Sequence, residues 1–509
     1  MTPSRCFALA SVCVAAVSVQ SPVASATPAP PQFYVDTTYV QPSGRTIFVP
    51  AGGDFQAALN TAQSGDVIAL EAGATFAGPF TLPNKPGAGW IIVRTSAPDD
   101  RLPPGIRVDP SRAAHMPKLL AAAGPVIRAV PGAHHYRFIG IEIRPREGTF
   151  LHNLVLLGLS ERSVDQLPHH FVFDRCYLHG DPKRGSRRGI LMNSRFTAVV
   201  DSYFSDFKEV GADSQAVAGW NGSGPFKIVN NFLEGAGENL MFGGADPSIP
   251  DLVPSDIEIR HNDFVKPLAW RQGDPAYAGV PWTVKNLFEL KNARRVLVDG
   301  NLFERNWVHA QNGFAILFTV RNQDGRAPWS VVEDVTFINN VVRGTASGIN
   351  ILGRDDNYPS QQTKRILIKN NIFLDVGGLK WGGGGRLFQM LNGTAKIVID
   401  HNTAFHTGNI ITAEGPPNTD FVFTNNLVAH NEYGILGTGI SPGIRTLNTY
   451  FPGAVVRKNL IVGGSAVQYP PDNFFTPSFA DVDRADVGVD LGALPAAIRP
   501  ALSSPAASR

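Results

Sequence analysis

A short phrase returns along most of this chain: hydrophobic, any residue, hydrophobic, any residue, then Asn followed by a hydrophobic residue. Examples are Ile228-Val229-Asn230-Asn231-Phe232 and Phe337-Ile338-Asn339-Asn340-Val341. The copies close on Asn231, Asn262, Asn301, Asn340, Asn371, Asn402, Asn426 and Asn459, at steps of 31, 39, 39, 31, 31, 24 and 33 residues. Two earlier copies carry Cys176 and Ser202 at that place. Repeats of this length mean a solenoid, a propeller or an array. The alternation before each Asn has period two, so each copy is a strand. A step of 24 is too short for a four-stranded blade of ~40–45 residues, but long enough for one turn of a β-coil. Stacked coils place like residues ~4.8 Å apart. An Asn at the turn can then donate to its copy in the next coil and tolerate a left-handed backbone there. A made bond nets ~1 kcal/mol and an unpaired buried amide costs ~1–3 kcal/mol, which favours an unbroken ladder.

With that column of Asn residues the chain resembles the right-handed parallel β-helix proteins of the pectate lyase-like superfamily. The resemblance implies an all-β, single-stranded right-handed parallel β-helix of about 10–12 coils with an Asn ladder. It also implies a capping helix over the open first coil. The segment Gly53-Asp54-Phe55-Gln56-Ala57-Ala58-Leu59 suits that cap, with Asp54 as N-cap and Phe55, Ala58, Leu59 and Ala62 on one face. The stretch Ala485–Leu491 resembles the closing strand of such proteins.

At 509 residues, length alone suggests two or three domains, but one repeat array can be long without a linker. A chain 43% hydrophobic and 17% charged is a folded one, and a net charge of +2 gives no support to nucleic-acid binding. Residues 1–26 read as a secretory signal, with Arg5, an apolar run from Phe7 to Val19, and cleavage after Ala26, so a secreted or periplasmic location is expected. Residues 27–45 read as a flexible leader, 46–492 as one β-helix domain, and 493–509 as a loose tail. No later stretch is long and apolar enough to span a membrane. Cys176 is the one cysteine outside the signal at 1–26, so no intrachain disulfide is expected in the mature chain, and its place in the ladder makes it a small core residue. A monomer is expected.

Each coil carries a second, downstream strand: 216–220, 239–242, 282–291, 314–321, 348–352, 386–391, 409–414 and 434–437. In the superfamily this sheet faces the substrate. Long loops flank it at 244–256, 266–281, 322–332, 354–364 and 376–385, which places the site over the central coils. Along Val284–Lys291, period two puts Lys285, Glu289 and Lys291 on the outer face and Val284, Phe288 and Leu290 inside. One coil on, Ala315, Thr319 and Arg321 point out and Phe314 points in; one coil back, Asn239 points out beside Glu238. Histidine offers little: His134-His135 and His169-His170 precede strands, and no pair has zinc-ligand spacing with a third partner.

A lyase or C5-epimerase of uronate glycans needs such a set: a base for the proton α to the carboxylate, a cation to neutralise that carboxylate, and an acid for the leaving oxygen. By resemblance to lyases of this fold that use Lys and Arg, Lys285 would be the base and Arg321 the acid or carboxylate partner, with Glu289 beside them. Asn239, Lys291, Arg354, Trp270, Trp329 and Trp381 would bind the glycan. Glu238, Asp246, Asp355 and Asp356 could hold calcium, a cation that takes carboxylate oxygens. The bland reading is a solvated ion-pair ladder, turn-forming Asp residues and Trp residues that anchor loops. The Arg-x-Pro-x-x-Arg pattern of pectate lyases is absent, as is the Gly-His-Gly and paired-Asp set of the polygalacturonase-like hydrolases. Two alternatives therefore stay open: a non-catalytic glycan-binding protein, and a glycoside hydrolase using two of Glu238, Glu289 and Glu414.

Overall fold

In the computed structural model, which describes residues 27–482 and 487–490, three parallel sheets, of 14, 14 and 12 strands in the order the chain enters them, wrap one continuous core. The chain visits the first, second and third sheet in turn in every coil, and strands pair only with their copies in the coils before and after. The twelve strands of the third sheet mark twelve complete coils. The signal segment expected at 1–26 and the tail expected at 493–509 lie outside the described residues.

Parallel strands in register stack like on like, so the repeat becomes a set of columns. In the third sheet Leu240, Phe288, Ile316, Ile349, Phe388, Ile411 and Ile435 follow one another in register, and all are buried in the core. Burying each such side chain contributes ~1.5–3 kcal/mol. The expected strands of this sheet are present except over 282–291, where only Phe288–Leu290 pairs. Residues before it build a wall instead: Trp282 and Val284 are buried in a separate apolar cluster, while Leu287 enters the main core.

The Asn column is a continuous hydrogen-bonded ladder. The amide of Asn231 donates to Oδ1 of Asn262 (3.0 Å), and the pattern repeats through Asn301, Asn340, Asn371, Asn402, Asn426 and Asn459 at 2.9–3.1 Å. It extends one rung further, to Asn473. Each Oδ1 also accepts the backbone N–H of the previous ladder Asn, and each amide also donates to a backbone carbonyl, as Asn262 does to Ile228. The left-handed backbone falls not on the ladder Asn but on the residue before it: Asn230, His261, Gly300, Asn339, Asn370, His401, Asn425 and Lys458 all have φ between 52° and 67°. Cys176 is fully buried in this column and its thiol is pushed up to about 12 by burial.

Helix Phe55–Thr61 closes the first coil, with Asp54 accepting the Ala57 N–H and the Phe55 ring packed on Phe76 and Phe80. Two termini differ from expectation. The leader is docked along the first sheet: Val35 is buried among Val172, Ala198 and Val200, the Ala29 and Gln32 N–H groups donate to Asp334 and Asp256, and Arg137 donates to the Thr37 carbonyl. Residues 487–490 form no strand; they lie outside the ladder turn, where Gly488, Val489 and Asp490 N–H groups donate to the Asn425 carbonyl, Thr403 Oγ1 and Asn370 Oδ1.

Candidate functional site

The outer face of the third sheet carries a polar strip. In register, Gln215 stands beside Glu238, and Met241, Glu289, Leu317, Asn350 and Gln389 follow one another on the next column.

Two buried carboxylates anchor the strip. Glu238 is fully buried; its Oε2 accepts from Gln215 Nε2 at 2.7 Å, and its Oε1 lies 3.8 Å from Lys285 Nζ without a hydrogen-bond partner. Burial pushes the Glu238 carboxyl up to about 7; the Asp213 and Glu289 charges add to this, and Lys285 and Lys291 oppose it. Lys285 Nζ is held 2.6 Å from Asp213 Oδ2. Burial works against the Lys285 charge, but Glu238 and Asp213 outweigh it and raise its pKa, so Lys285 rests as an ammonium. Gln215 is fixed in turn by Arg188, whose Nε donates to its Oε1 at 2.8 Å. Glu289 accepts from Thr319 Oγ1 and Asn286 Nδ2, both at 3.3 Å, with Lys291 Nζ 3.7 Å away.

Glu289, Lys291 and Arg321 line one cavity of about 390 Å³, together with Gln311, Phe314 and Asn350. Arg321 is aimed by Asp355 (2.7 Å) and Asp356 (3.4 Å). Hydrogen bonds from the Asn357 and Asn322 N–H groups and Arg321 outweigh burial and hold the Asp355 carboxyl below its usual range. Lys285 does not line this cavity; three residues ahead of the Glu289 strand, it is bonded to Asp213 and lies beside Glu238.

Other expected site residues fall elsewhere. Asn239 points inward, not into the groove: its amide donates to the Leu233 and Val265 carbonyls. It occupies a corner position where the chain turns into the sheet and two successive residues face the core, so strict period two fails. The same corner exchanges Phe314 and Ala315. Ala315 is in the core, whereas Phe314 lines the cavity under the Arg386 guanidinium. Trp270 and Trp381 are buried with Trp282 and Trp307 in a cluster that pins the entering loops. Arg271 and Lys380 lie over the Trp381 ring, so neither Trp270 nor Trp381 offers a face to a sugar. Trp329 is half-buried, donates to the Leu252 carbonyl, and lines a second cavity of about 580 Å³ with Arg162 and Arg326. Arg354 is exposed and donates to the Ser360 carbonyl. Glu414 lines a third cavity, of about 590 Å³, further along the sheet.

The four carboxylates expected to hold calcium do not converge. Glu238 faces Lys285; Asp246 accepts the Asp324 and Arg326 N–H groups; Asp355 and Asp356 hold Arg321. A cation at Glu238 or Glu289 would have to displace Lys285 or Lys291.

Sequence reasoning missed Asp213, Gln215 and Arg188, which orient Lys285 and Glu238 from earlier coils. It also missed Lys266. That side chain is fully buried, and its ammonium donates to the Gly235, Ala236 and Gly237 carbonyls and to Asn239 Oδ1 at 2.6–3.2 Å. Burial pushes Lys266 down to about 7 against the pull of Glu238 and Glu234. A lysine in a strand pattern gives no hint of this. The inward Asn239 that receives it was the available signal, had its corner position been recognised.

No family model and no curated protein matches the chain. Solved structures do resemble it. A PL6 family alginate lyase, AlyGC, superposes with a TM-score of 0.50 at 13% identity, covering 88% of this chain and 57% of that one. The catalytic unit of a thermostable GH87 α-1,3-glucanase from Streptomyces thermodiastaticus gives a TM-score of 0.52 at 12% identity, covering 88% and 72%. The chain has the parallel β-helix fold. At these identities the likeness is one of fold, and the chain spans little more than half the length of that alginate lyase.

Proposed function

We propose that the protein acts on a polysaccharide containing uronate residues, as a lyase or C5-epimerase, in the groove over the third sheet. The observation that carries this reading is the shared cavity of Lys291, Arg321 and Glu289, with Lys285 held by Asp213 and Glu238 ahead of the same strand. Two cations facing one sugar-sized space suit a carboxylate. Neutralising it acidifies the adjacent C5 proton and stabilises the carbanion-like intermediate.

In this reading Lys291 and Arg321 hold the uronate carboxylate. Glu289, fixed by Thr319 and Asn286, takes the C5 proton. Lys285, an ammonium at rest because Glu238 and Asp213 hold it so, serves as the acid, which reverses the base role expected from the resemblance. In elimination the C5–H bond breaks, the C4–O bond leaves with its electron pair, and Lys285 protonates the departing oxygen. In epimerisation the C4–O bond stays and a proton returns to C5 from the opposite face. That fold neighbours include an alginate lyase supports this substrate class.

A second reading, a hydrolase of neutral glycans, draws on the Glu238 carboxyl raised to about 7 and on the glucanase among the fold neighbours. The test is a panel of uronate polysaccharides, followed by absorbance of the unsaturated product and by NMR of the uronate ring protons. An absorbance signal lost in Lys291→Ala and Arg321→Ala supports a lyase, and altered ring stereochemistry without it an epimerase. New reducing ends without unsaturation on a neutral glucan would move the assignment to hydrolysis. Binding with no product would leave a glycan-binding protein.

A further inference from the structure

We propose that His135, His169 and His170, oriented by His134, form a binding site for a divalent transition-metal ion of the zinc, nickel and copper class. It lies where the chain turns into the first sheet, on earlier coils than those of the groove.

Two His-His pairs stand on consecutive coils, with His134 in register with His169. The rings stack in two columns, His134 on His169 at 4.8 Å and His135 on His170 at 4.4 Å, each within 7° of parallel. Neighbours in a strand normally face opposite ways. Here His135 and His170 take the left-handed backbone (φ 58° and 57°), which brings both rings of each pair to one side. The same turn recurs at Phe196 and Arg295, so it belongs to the fold, but only these two coils fill both places with imidazoles.

Within each pair the Nδ1 atoms are 2.7 and 2.6 Å apart, a distance that requires one proton between them. A neutral imidazole has one N–H. The ring that donates through Nδ1 therefore has a bare Nε2, while its partner accepts at Nδ1 and carries its proton at Nε2. Each pair thus presents one bare Nε2 on a ring whose other nitrogen is already held, the arrangement by which proteins orient metal-binding histidines.

Ligand atoms of His135, His169 and His170 lie within 4.8 Å of one another, and no other group of His, Cys, Asp or Glu among the described residues converges in this way. A tetrahedral zinc site needs nitrogens ~3.4 Å apart, so modest side-chain turns close the set and free a third nitrogen from the His169–His170 pair. All-imidazole ligands select zinc, nickel or copper over calcium or magnesium. Arg195, next in the His169 column, opposes a cation and sets the affinity below that of a site with carboxylates.

The alternative is a purely aromatic column, since His170 also stacks on Phe196 at 4.6 Å. Titration calorimetry of the tag-free chain with zinc, nickel or calcium chloride alone distinguishes the two. The expected result is one zinc or nickel ion per chain and none for calcium. Affinity should fall about tenfold or more in His135→Ala, His169→Ala and the positioning variant His134→Ala, and hold in His152→Ala, which alters an exposed histidine. Cobalt(II) absorbance should report nitrogen ligands and vanish in His169→Gln, a variant that keeps a polar side chain should the alanine variant fail to fold. No heat with zinc or nickel, or equal binding by wild type and the folded histidine variants, would overturn the site.

Discussion

Arg321 reaches across one coil to Asp355, Nη1 to Oδ1 at 2.7 Å, and so points its guanidinium along the cavity instead of out into solvent. If Arg321 binds a uronate, Asp355 aims it. Asp355→Ala should leave the cation present but misplaced and lower kcat/KM about 10–100-fold on the active uronate. Arg321→Ala should cost about 100–1000-fold. Steady-state kinetics decide this; equal rates for wild type and Arg321→Ala would remove the guanidinium from the reaction.

Glu238 gives a pH signature. Its folded value of about 7 lies above the ordinary 4.5, so the folded state keeps a proton that the unfolded state loses. The destabilisation from this group grows as pH rises from 4.5 through about 7 and is full above that. Glu238→Gln, which keeps the Gln215 contact, should flatten the stability profile across that window and stabilise the protein in mild alkali. Urea melts at several pH values test it, and an unchanged slope in the variant counts against the shift.

The ladder is a stability element with a defined middle. Asn301→Ala removes the acceptor of two Asn262 N–H bonds and the donor to the Ile259 carbonyl and Asn340. Loss of about 2–4 kcal/mol is expected, since each stranded buried group costs ~1–3 kcal/mol. Asn473→Ala, at the half-buried last rung, should cost less. Denaturant midpoints giving the two variants equal losses would speak against a cooperative ladder.

Calcium should be dispensable. The four candidate carboxylates are engaged by Lys285, by Arg321 and by loop N–H groups. Chelation with EDTA should change turnover less than about twofold if those pairs persist with substrate bound. Activity that disappears on chelation and returns with calcium alone would mean that the pairs open.

The fold was legible because a parallel solenoid repeats one local rule, and each rung of the Asn column restates it. Lys291, Glu289 and Arg321 followed from the same alternation, and they share a cavity. The failures sit where alternation stops. At the corner leading into the third sheet, Asn239 and Ala315 face inward and Phe314 outward, because the chain there is turning and no longer pleated. Trp270 and Trp381 deceived for another reason: loop tryptophans look alike whether they wait for a sugar or bury one another, and only their tertiary partners decide. The histidine pairs lie 35 residues apart in sequence, so stacking alone brings them together.

The leader has a consequence for the order of events as the chain is made. Ala29 and Gln32 are synthesised early, yet their partners Asp334 and Asp256 lie 305 and 224 residues further on. Coils can form one after another as they emerge, each templated by its predecessor. The leader must wait, unseated, until about two-thirds of the chain has been made, and then binds several coils at a stroke. What a row of neighbour contacts would allow to fray coil by coil is thereby locked by its first-made segment arriving last.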